Sequence, residues 1–260
     1  MKLEGHQANF YTSTFSADLY RKQEYIYKII KKTFIGSNHV LKQIKYNYVI
    51  SKETSESLVL PNKLLADNIY RMNFIEGYNI DTCFKNKSIS LEKRIAIVNT
   101  LFRNLQEVHQ FLIVGDVAAR NCMIPKDIHD KNIYLIDFDF AAPINASYEA
   151  LSPYDIVSES GIIIPSNCDS DIVKLFIVSL NLLYQWDFEK KFIRHPKLKL
   201  IREFLRKNVQ NNGYLLEYFN YISDGIENNQ PSEYLHLPDS RAFRNEIEKG
   251  MKRIRNLKNI

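Results

Sequence analysis

The most informative stretch of the sequence runs from residue 108 to residue 139 and reads VHQFLIVGDVAARNCMIPKDIHDKNIYLIDFD. In it, the carboxylate of Asp116 is followed by the side-chain amide of Asn121, and an apolar run that predicts a buried strand ends at Asp137. Such oxygen ligands suit Mg²⁺, which proteins hold through one or two carboxylates together with substrate phosphates. A further carboxylate is left to accept a proton from an attacking hydroxyl group. The stretch therefore predicts a magnesium site with a general base beside it.

The chain before residue 77 reads mainly as short strands. Aromatic and β-branched residues dominate four runs, which we predict to be strands: 9–14, 25–30, 58–65 and 69–75. The polar run 16–23 is expected to form a turn, and Ser37 to cap a helix. From Ser90 onward, apolar residues recur at steps of three and four, which predicts an amphipathic helix with Ser90 as its cap. Further helices are predicted over 172–184, 198–209 and 241–260.

This change of period near Gly77 predicts an α+β fold. We expect a small β-rich lobe, residues 1–76, packed on a larger helical lobe, residues 77–260, within one domain that spans the chain. A cleft between two such lobes is a usual place for a ligand.

Composition narrows the classes of function. The formal net charge is +5, a mild surplus that permits an anionic ligand without demanding a nucleic acid. The three cysteines lie far apart and form no CxxC pair, which is typical of a reducing compartment. The sequence shows neither a signal peptide nor a stretch apolar enough to span a membrane. We expect a soluble, cytoplasmic protein that binds no nucleic acid and does not insert into a membrane.

The order of these residues resembles the protein-kinase superfamily, whose catalytic loop reads H-R-D-x-x-x-x-N and whose metal motif reads D-F-G. The resemblance implies a two-lobed kinase-like fold with ATP and Mg²⁺ as cofactors. It makes Asp116 the catalytic base, and Asn121 and Asp137 the metal ligands. Any one of these residues, taken alone, could instead cap a turn or end a strand. Their order behind a strongly predicted helix favours the functional interpretation.

Other segments extend the resemblance over most of the chain. YIYKII, residues 25–30, is similar to the strand that carries the family's phosphate-binding lysine, which gives that role to Lys28. Alternatively, the stem of Lys28 lies along the sheet edge while its ammonium group reaches water. MNFIEG, residues 72–77, resembles the segment that joins the lobes, where the backbone around Asn73 and Ile75 would bind adenine.

Later segments resemble structural elements of the same family. LSP at 151–153 stands where the family has A-P-E, and SDI at 170–172 resembles the start of the long helix of the large lobe. RAFRNEI at 241–247 resembles the late R-P-S-x-x-E-L element. By this resemblance, Asp171 and Arg241 are structural anchors.

The phosphate-binding loop departs from the family pattern. The family's G-x-G-x-x-G cannot be formed, because Gly5 is the only glycine among the first 35 residues. The segment GHQANFY, residues 5–11, is expected in its place, with Gly5 and Ala8 contacting the nucleotide. Its side chains would keep the backbone from lying as closely over phosphates as three glycines allow.

The lysine and its expected partner also differ from the family pattern. The helix after Lys28 has no glutamate to pair with it, and the spacing nominates Gln43 to hold Lys28. An amide accepts one hydrogen bond but forms no ion pair, so Lys28 would be less firmly held. Asp139 replaces the glycine of D-F-G.

The catalytic loop lacks two family residues as well. Val114 and Gly115 replace the histidine and arginine of H-R-D, and that arginine often binds a phosphorylated activation segment. Residues 137–153 are also few for a switchable segment. We therefore predict a protein that needs no activation-loop phosphorylation and is constitutively competent or controlled by a protein partner.

Three functions stay open at this point. The first is transfer of the ATP γ-phosphate to a protein hydroxyl, of Ser/Thr or Tyr; the sequence Ala118-Ala119-Arg120 matches the tyrosine-kinase loop. The second is a small-molecule kinase, because Gly115 and Asp139 resemble the residues that aminoglycoside- and choline-kinase-like phosphotransferases have at these positions. The third is a pseudokinase that binds a partner and catalyses nothing, which the missing glycines and glutamate favour.

Overall fold

The structure is a computed structural model of the 260-residue chain. It describes residues 2–3, 6–14, 16–33, 37–52, 58–83, 89–126, 133–145, 156–192, 197–208, 213–228 and 230–257. These residues form an antiparallel sheet with one long helix in the first third of the chain, followed by a mainly helical part.

The first part of the chain is built around a five-stranded antiparallel sheet. After a short pair of strands, β1 (Lys2–Leu3) and β2 (His6–Gln7), the sheet contains β3 (Asn9–Ser13), β4 (Ala17–Lys22), β5 (Tyr25–Ile30), β6 (Lys63–Ala66) and β7 (Ile69–Asn73). The spatial order is β3–β4–β5–β7–β6, so that β5 lies at the centre with a neighbour on each side.

Strand alternation gives this sheet two distinct faces. On β5, Lys28 is paired with Leu19 on β4 and with Tyr70 on β7, so these three side chains share one face, here called the inner face. The helix α1 (Ser37–Ile50) packs on it through a small apolar cluster formed by Ala17, Ile30, Val40, Ile44 and Tyr70. Tyr27, the neighbour of Lys28, lies on the outer face.

The second part of the chain is mainly helical. Its helices are α2 (Ile80–Cys83), α3 (Leu91–Val108), α4 (Cys168–Tyr184), α5 (Phe188–Phe192), α6 (Leu198–Asn208), α7 (Tyr214–Glu227) and α8 (Arg241–Leu257). Helix α4 is buried on all sides from Ser170 to its end, as expected of a central helix. It begins at a capping box in which Asn167 and Ser170 bond each other's backbone N–H groups.

Short strands between these helices carry the loops of interest. They are β8 (Gly77–Asn79), β9 (Leu112–Ile113), β10 (Cys122–Pro125), β11 (Tyr134–Leu135), β12 (Ala142–Pro143), β13 (Ile156–Val157) and β14 (Ile163–Ile164). β10 lies between β8 and β11, and one 3₁₀ turn, Ala119–Asn121, precedes it. Because Ile136 N–H also donates to the Asn121 backbone oxygen, the loop before β10 lies beside the segment after β11.

The structure confirms the predicted α+β organisation, with a sheet-rich first part and a mainly helical second part, and much of its detail. Ser90 caps α3 by accepting a hydrogen bond from the Lys93 N–H group. The boundary at residues 76 and 77 stays a prediction. Within the described parts of the chain, no helix has both the length and the apolarity needed to cross a membrane.

Two predictions about the sheet were wrong. Most of the run 16–23, expected to be a turn, is strand β4, because Ala17 and Leu19 alternate with polar residues and face inward. In the run 58–65, only the end belongs to the sheet, as the beginning of β6. Leu58 instead bridges to Leu135 and packs in the core of the helical part. An apolar run alone does not reveal which core it enters.

Candidate active site

The centre of the candidate site is Lys28 on β5. Its side chain is only 2% exposed, and its Nζ lies 2.6 Å from Asp137 Oδ1 and 2.7 Å from Asp139 Oδ2. Burial by itself would lower the pKa of Lys28, but the charges of Asp137 and Asp139 raise it well above its ordinary value. Lys28 is therefore a protonated, buried cation, and its ammonium group does not lie in water at a sheet edge.

The two carboxylates that contact Lys28 have different surroundings. Asp139 is 2% exposed and accepts a hydrogen bond of 2.7 Å from the Tyr70 hydroxyl. Asp137 keeps 32% of its side chain exposed and has a backbone φ of +65°, in the left-handed region that residues other than glycine adopt uncommonly. Asp137 thus presents an accessible carboxylate beside Lys28, whereas Asp139 is enclosed.

The loop before β10 carries the other two predicted site residues, Asp116 and Asn121, which are both buried. Asn121 Nδ2 donates to the backbone oxygen of Asp116 at 2.9 Å and to its Oδ2 at 3.1 Å. Arg120 donates to both carboxylate oxygens of Asp116, at 2.8 and 2.7 Å. Burial raises the pKa of Asp116 against the lowering effect of Arg120, and the charge of Asp137 raises it further. Asp116 and Asp137 are therefore close enough to interact electrostatically.

Side chains from α4 hold this loop in place. Asp171, fully buried, accepts hydrogen bonds from the backbone N–H groups of Val114 at 2.6 Å and Gly115 at 3.1 Å. One turn later, Lys174 Nζ donates to the Gly115 oxygen at 2.7 Å. Gly115 has a φ of +78°, which glycine adopts without steric cost. Asp171 therefore occupies the anchoring position that the resemblance gives it.

His109, just after α3, completes this buried network. Its Nε2 lies 3.2 Å from Asp171 Oδ2, and its Nδ1 lies 2.7 Å from the Tyr234 hydroxyl. Burial alone would lower the pKa of His109, but interactions with Asp171 and Cys168 raise it to about 9. The imidazole is therefore protonated at neutral pH and forms a buried ion pair with Asp171.

A cleft of about 400 Å³ opens beside these charged residues. Two residues of its lining adjoin the charged groups: Ile26 lies two residues before Lys28 on the inner face of the sheet, and Ile136 directly precedes Asp137. The cleft is therefore next to Lys28 and Asp137. The lining is mainly apolar: Tyr11, Leu19, Ile26, Val59, Met72, Phe74, Ile75, Tyr78, Met123 and Ile136, with Asn73, Gly77, Asn79, Thr82 and Arg120.

The predicted adenine-binding segment borders this cleft. Residues 72–75 line it, and the Phe74 N–H group is engaged by the Glu24 backbone oxygen at 2.7 Å. Within the described residues, the backbone of Ile75 has no hydrogen-bond partner. Ile75 lines the cleft, and Asn73 lies two residues before it. The roles predicted for Asn73 and Ile75 stay predictions.

The structure corrects the expected position of the phosphate-facing loop. Residues 9–11 lie within β3, and the connection to β4 starts at Thr14, whose Oγ1 accepts a hydrogen bond from the Ala17 N–H group at 3.0 Å. Ala8 packs against Tyr27 on the outer face, away from Lys28, which does not fit the predicted contact with the nucleotide. Gly5 lies outside the described residues. The prediction of a phosphate-facing loop at residues 5–11 started from the position of Gly5. In the structure, the pairing of β3 with β4 sets the position of the loop between them.

Gln43 lies in a buried polar chain. Its Nε2 donates to Asn47 Oδ1 at 2.8 Å, and Asn47 Nδ2 donates to the Phe138 backbone oxygen at 3.1 Å. Asn47 therefore links α1 to the segment that follows Asp137, and Gln43 holds the Asn47 side chain. Its predicted contact with Lys28 stays a prediction, while the ion pairs of Lys28 come from the two carboxylates.

Sequence reasoning missed three contacts of the site. It did not pair Asp139 with Lys28, it gave no role to Tyr70, and it did not place Arg120 on Asp116. The carboxylate of Asp139 within the apolar run IDFDFAA was a usable signal, because a buried charge needs a partner. Nothing in the sequence told which cation or hydroxyl would provide it.

Comparison with solved structures agrees with this fold. The structure of the Cydia pomonella granulovirus kinase PK-1 matches with a TM-score of 0.61 at 12% sequence identity, over 90% of this chain and 93% of that chain. No protein-family model and no curated protein matches the sequence. The fold is kinase-like. At such low identity the similarity shows the fold alone.

Proposed function

We propose that the protein is a phosphotransferase that moves the γ-phosphate of ATP to a hydroxyl group of a protein, with Mg²⁺ as cofactor. The supporting observations are that Lys28 lies 2.6 Å from Asp137, 109 residues away in sequence, and that Asn121 is hydrogen-bonded to Asp116, whose carboxylate feels the charge of Asp137. Neighbours of these residues, Ile26, Arg120 and Ile136, line the cleft. Phosphoryl transfer is catalysed mainly by positioning and charge neutralisation, and a buried cation with an accessible carboxylate and a second carboxylate nearby can supply both.

In this proposal the cleft holds the base and sugar of ATP. Its lining is apolar, and the N–H and C=O groups of Ile75 match the hydrogen-bonding edge of adenine. Lys28 lies on the same face of the sheet as Ile26, toward the carboxylates. In the proposal, this ammonium group neutralises charge on the phosphates.

The residues present also fit Mg²⁺. Asp137 is accessible, and Asn121 donates through its nitrogen to Asp116, which leaves its oxygen for a cation. In the described part of the chain, no three His, Cys, Asp or Glu side chains cluster into a metal site. Mg²⁺ would therefore need phosphate oxygens besides Asp137 and Asn121, as is usual for this ion, and would neutralise charge on those phosphates.

Asp116 is assigned to the acceptor hydroxyl, which it orients and from which it accepts a proton. Burial raises its pKa, and a carboxylate with a raised pKa is the stronger base. Arg120 occupies both oxygens of Asp116, but 40% of the Arg120 side chain is exposed. It can turn toward solvent when an acceptor hydroxyl takes its place.

A protein acceptor is favoured by the resemblance of Ala118-Ala119-Arg120 to the tyrosine-kinase loop, and Arg120 lines the cleft beside Asp116. Control by a protein partner is part of the proposal, because Gly115 cannot bind a phosphorylated segment. Residues 146–155, which contain all three hydroxyl-bearing residues of the expected activation segment, lie outside the described residues.

The test compares the wild type with Asp137→Ala. Asp18→Ala is the matched control, because Asp18 lies on β4 and, among the described residues, pairs with Ser13 and Lys31 near the surface. Calorimetry measures ATP binding with and without Mg²⁺, and labelled phosphate is followed into the protein itself, a protein mixture and a panel of small hydroxyl compounds.

We expect Asp137→Ala to abolish the Mg²⁺-dependent part of ATP binding and all transfer, and Asp18→Ala to change neither. Label found only on small compounds would replace the proposal by a small-molecule kinase. ATP binding without any transfer, or no ATP binding at all, would favour the pseudokinase, for which the Arg120 contact with Asp116 is the best argument.

A further inference from the structure

We infer that Asp139 is the residue that positions Lys28 for the nucleotide. In the protein-kinase superfamily, which the sequence resembles, a glutamate on the helix after the lysine has this role. The inference rests on the proposed function, since it concerns how the phosphate-binding lysine is held. Helix α1 has no acidic residue over Ser37–Ile50, so it cannot supply an ion pair to Lys28. Asp139 supplies that pair from the segment that also carries Asp137.

The two carboxylates around Lys28 differ in exposure, and we assign them different roles for that reason. Asp137 is one-third exposed beside the cleft and can turn its oxygens to a cation, whereas Asp139 is enclosed, with 2% of its side chain exposed. When Asp137 binds a cation, its attraction to Lys28 weakens. Asp139 then remains as the buried anion that keeps the ammonium group in place.

Tyr70 fixes the carboxylate of Asp139 in turn. It is paired with Lys28 across β5 and β7, on the same face of the sheet, and its hydroxyl donates to Asp139 Oδ1 at 2.7 Å. Asp139 Oδ2 faces Lys28 Nζ at 2.7 Å. Asp139 thus contacts Tyr70 on β7 through Oδ1 and Lys28 on β5 through Oδ2. These two contacts define the orientation of its carboxylate.

Helix α1 supports this arrangement without a charge. Asn47 donates to the Phe138 backbone oxygen at 3.1 Å, and His39 Nε2 lies 2.9 Å from the Ala141 backbone oxygen. The segment 138–141 is therefore fixed to α1 on both sides of Asp139. A rotation of α1 is not needed to form or break the ion pair of Lys28, so this fold holds its lysine whenever the segment is in place.

The test uses Asp139→Asn, Tyr70→Phe, Lys28→Met and the Asp139→Asn/Lys28→Met double variant, with Asp18→Asn as the matched control. Two quantities are measured. The first is the ¹⁵N chemical shift of the Lys28 ammonium group in nucleotide-free protein. The second is the ATP affinity with and without Mg²⁺.

We expect Asp139→Asn to move the Lys28 resonance and to weaken ATP binding about tenfold or more, with and without Mg²⁺, because a charge-assisted contact is lost. Tyr70→Phe, which changes only one hydroxyl, moves the same resonance and weakens binding about threefold. In the Lys28→Met background, Asp139→Asn has less than about a twofold effect, because its target is already gone. Asp18→Asn changes nothing.

Two results separate this inference from the proposed function. If the wild type binds ATP and Asp139→Asn binds it equally well with an unmoved Lys28 resonance, the inference is overturned and the proposed function stands. If the wild type binds no ATP, the proposed function fails and the role of Asp139 toward a nucleotide fails with it. If Asp139→Asn does not fold, Tyr70→Phe replaces it in this test. An unmoved Lys28 resonance and unchanged ATP affinity in Tyr70→Phe would then overturn the inference.

Discussion

The sheet and the helical part contribute to the site in contrasting ways. In the helical part, Asp116 and Asn121 are buried, and Asp171 and Lys174 bind the backbone of the loop that carries Asp116. In the sheet, Lys28 is as well buried, yet every residue of β3, which borders the cleft, is exposed.

This contrast shows which parts of the site depend on fixed geometry. Asp116 and Asn121 lie in a loop whose backbone is bound by two buried side chains of the central helix α4, Asp171 and Lys174. Strand β3, which borders the cleft through Tyr11, is exposed, and the chain before it lacks the glycines of the family that the sequence resembles. We therefore expect substitutions in the helical part to have large effects and those in β3 to have small ones.

The largest effect is expected at Asp116. Asp116→Asn should lower kcat about 10²–10⁴-fold while ATP affinity stays unchanged, since a base acts on the acceptor and not on the nucleotide. The same variant should not lower the stability of the fold, because burial already opposes the charge of Asp116. Single-turnover transfer assays with thermal unfolding check both points. A variant that keeps more than about a tenth of the activity would contradict the assignment.

The next effect concerns the anchor of the catalytic loop. Asp171→Asn removes the buried charge that accepts from Val114 and Gly115 and pairs with His109, so the free energy of unfolding should fall by about 3–5 kcal/mol. Asp169→Asn is the control, because Asp169 lies on the same turn of α4 but is only partly buried and bonds Ser232. Denaturant titration measures both variants. Equal losses would show that Asp171 has no special role.

The third effect is a pH dependence of stability. His109 has a pKa of about 9 in the folded protein against 6.5 ordinarily, so the folded state binds its proton more tightly. The resulting stabilisation, about 3 kcal/mol, is complete below pH 6.5 and is lost as the pH rises through 9. Unfolding free energies of the wild type and His109→Gln, measured from pH 6 to 10, should converge at high pH. A constant difference would mean that His109 is not protonated in the fold.

The smallest effect is expected in β3. Tyr11 lines the cleft and contacts Phe74 edge-to-face, with ring centroids 6.0 Å apart, so Tyr11→Ala should weaken ATP binding about fivefold. Phe10→Ala is the control, because the Phe10 ring contacts Tyr20 on the outer face. Neither variant should change stability by more than about 0.5 kcal/mol. A loss of ATP binding as large as that of Asp137→Ala would abolish the contrast between sheet and helical part.

Much of the fold could be predicted because the signals were local. The three-and-four spacing after Ser90 identified α3, and the β-branched run over residues 25–30 identified β5. The run 16–23 was misassigned because its polar residues hid a two-residue alternation that only pairing with β5 makes clear. The run 58–65 was partly misassigned because an apolar strand and an apolar core segment have the same composition.

The candidate site divides in the same way. Asp116, Asn121 and Asp137 could be nominated from the sequence, because their residue types and order match short motifs. The partners of these residues were not, since they come from distant segments. Tyr70 is 69 residues from Asp139, and Lys28 is 109 residues from Asp137.

The sequence by itself determined the kinds of groups present: a lysine within an apolar strand, two carboxylates with an amide between them, and no glycine-rich loop. Only the tertiary structure decided that Lys28 is held by Asp137 and Asp139, that Arg120 lies on Asp116, and that Ala8 faces away. The physical reason is that a charge buried by folding must find its counter-charge in space. Side-chain periodicity fixes the face on which a residue lies, whereas its partner depends on which distant strand or loop is packed there.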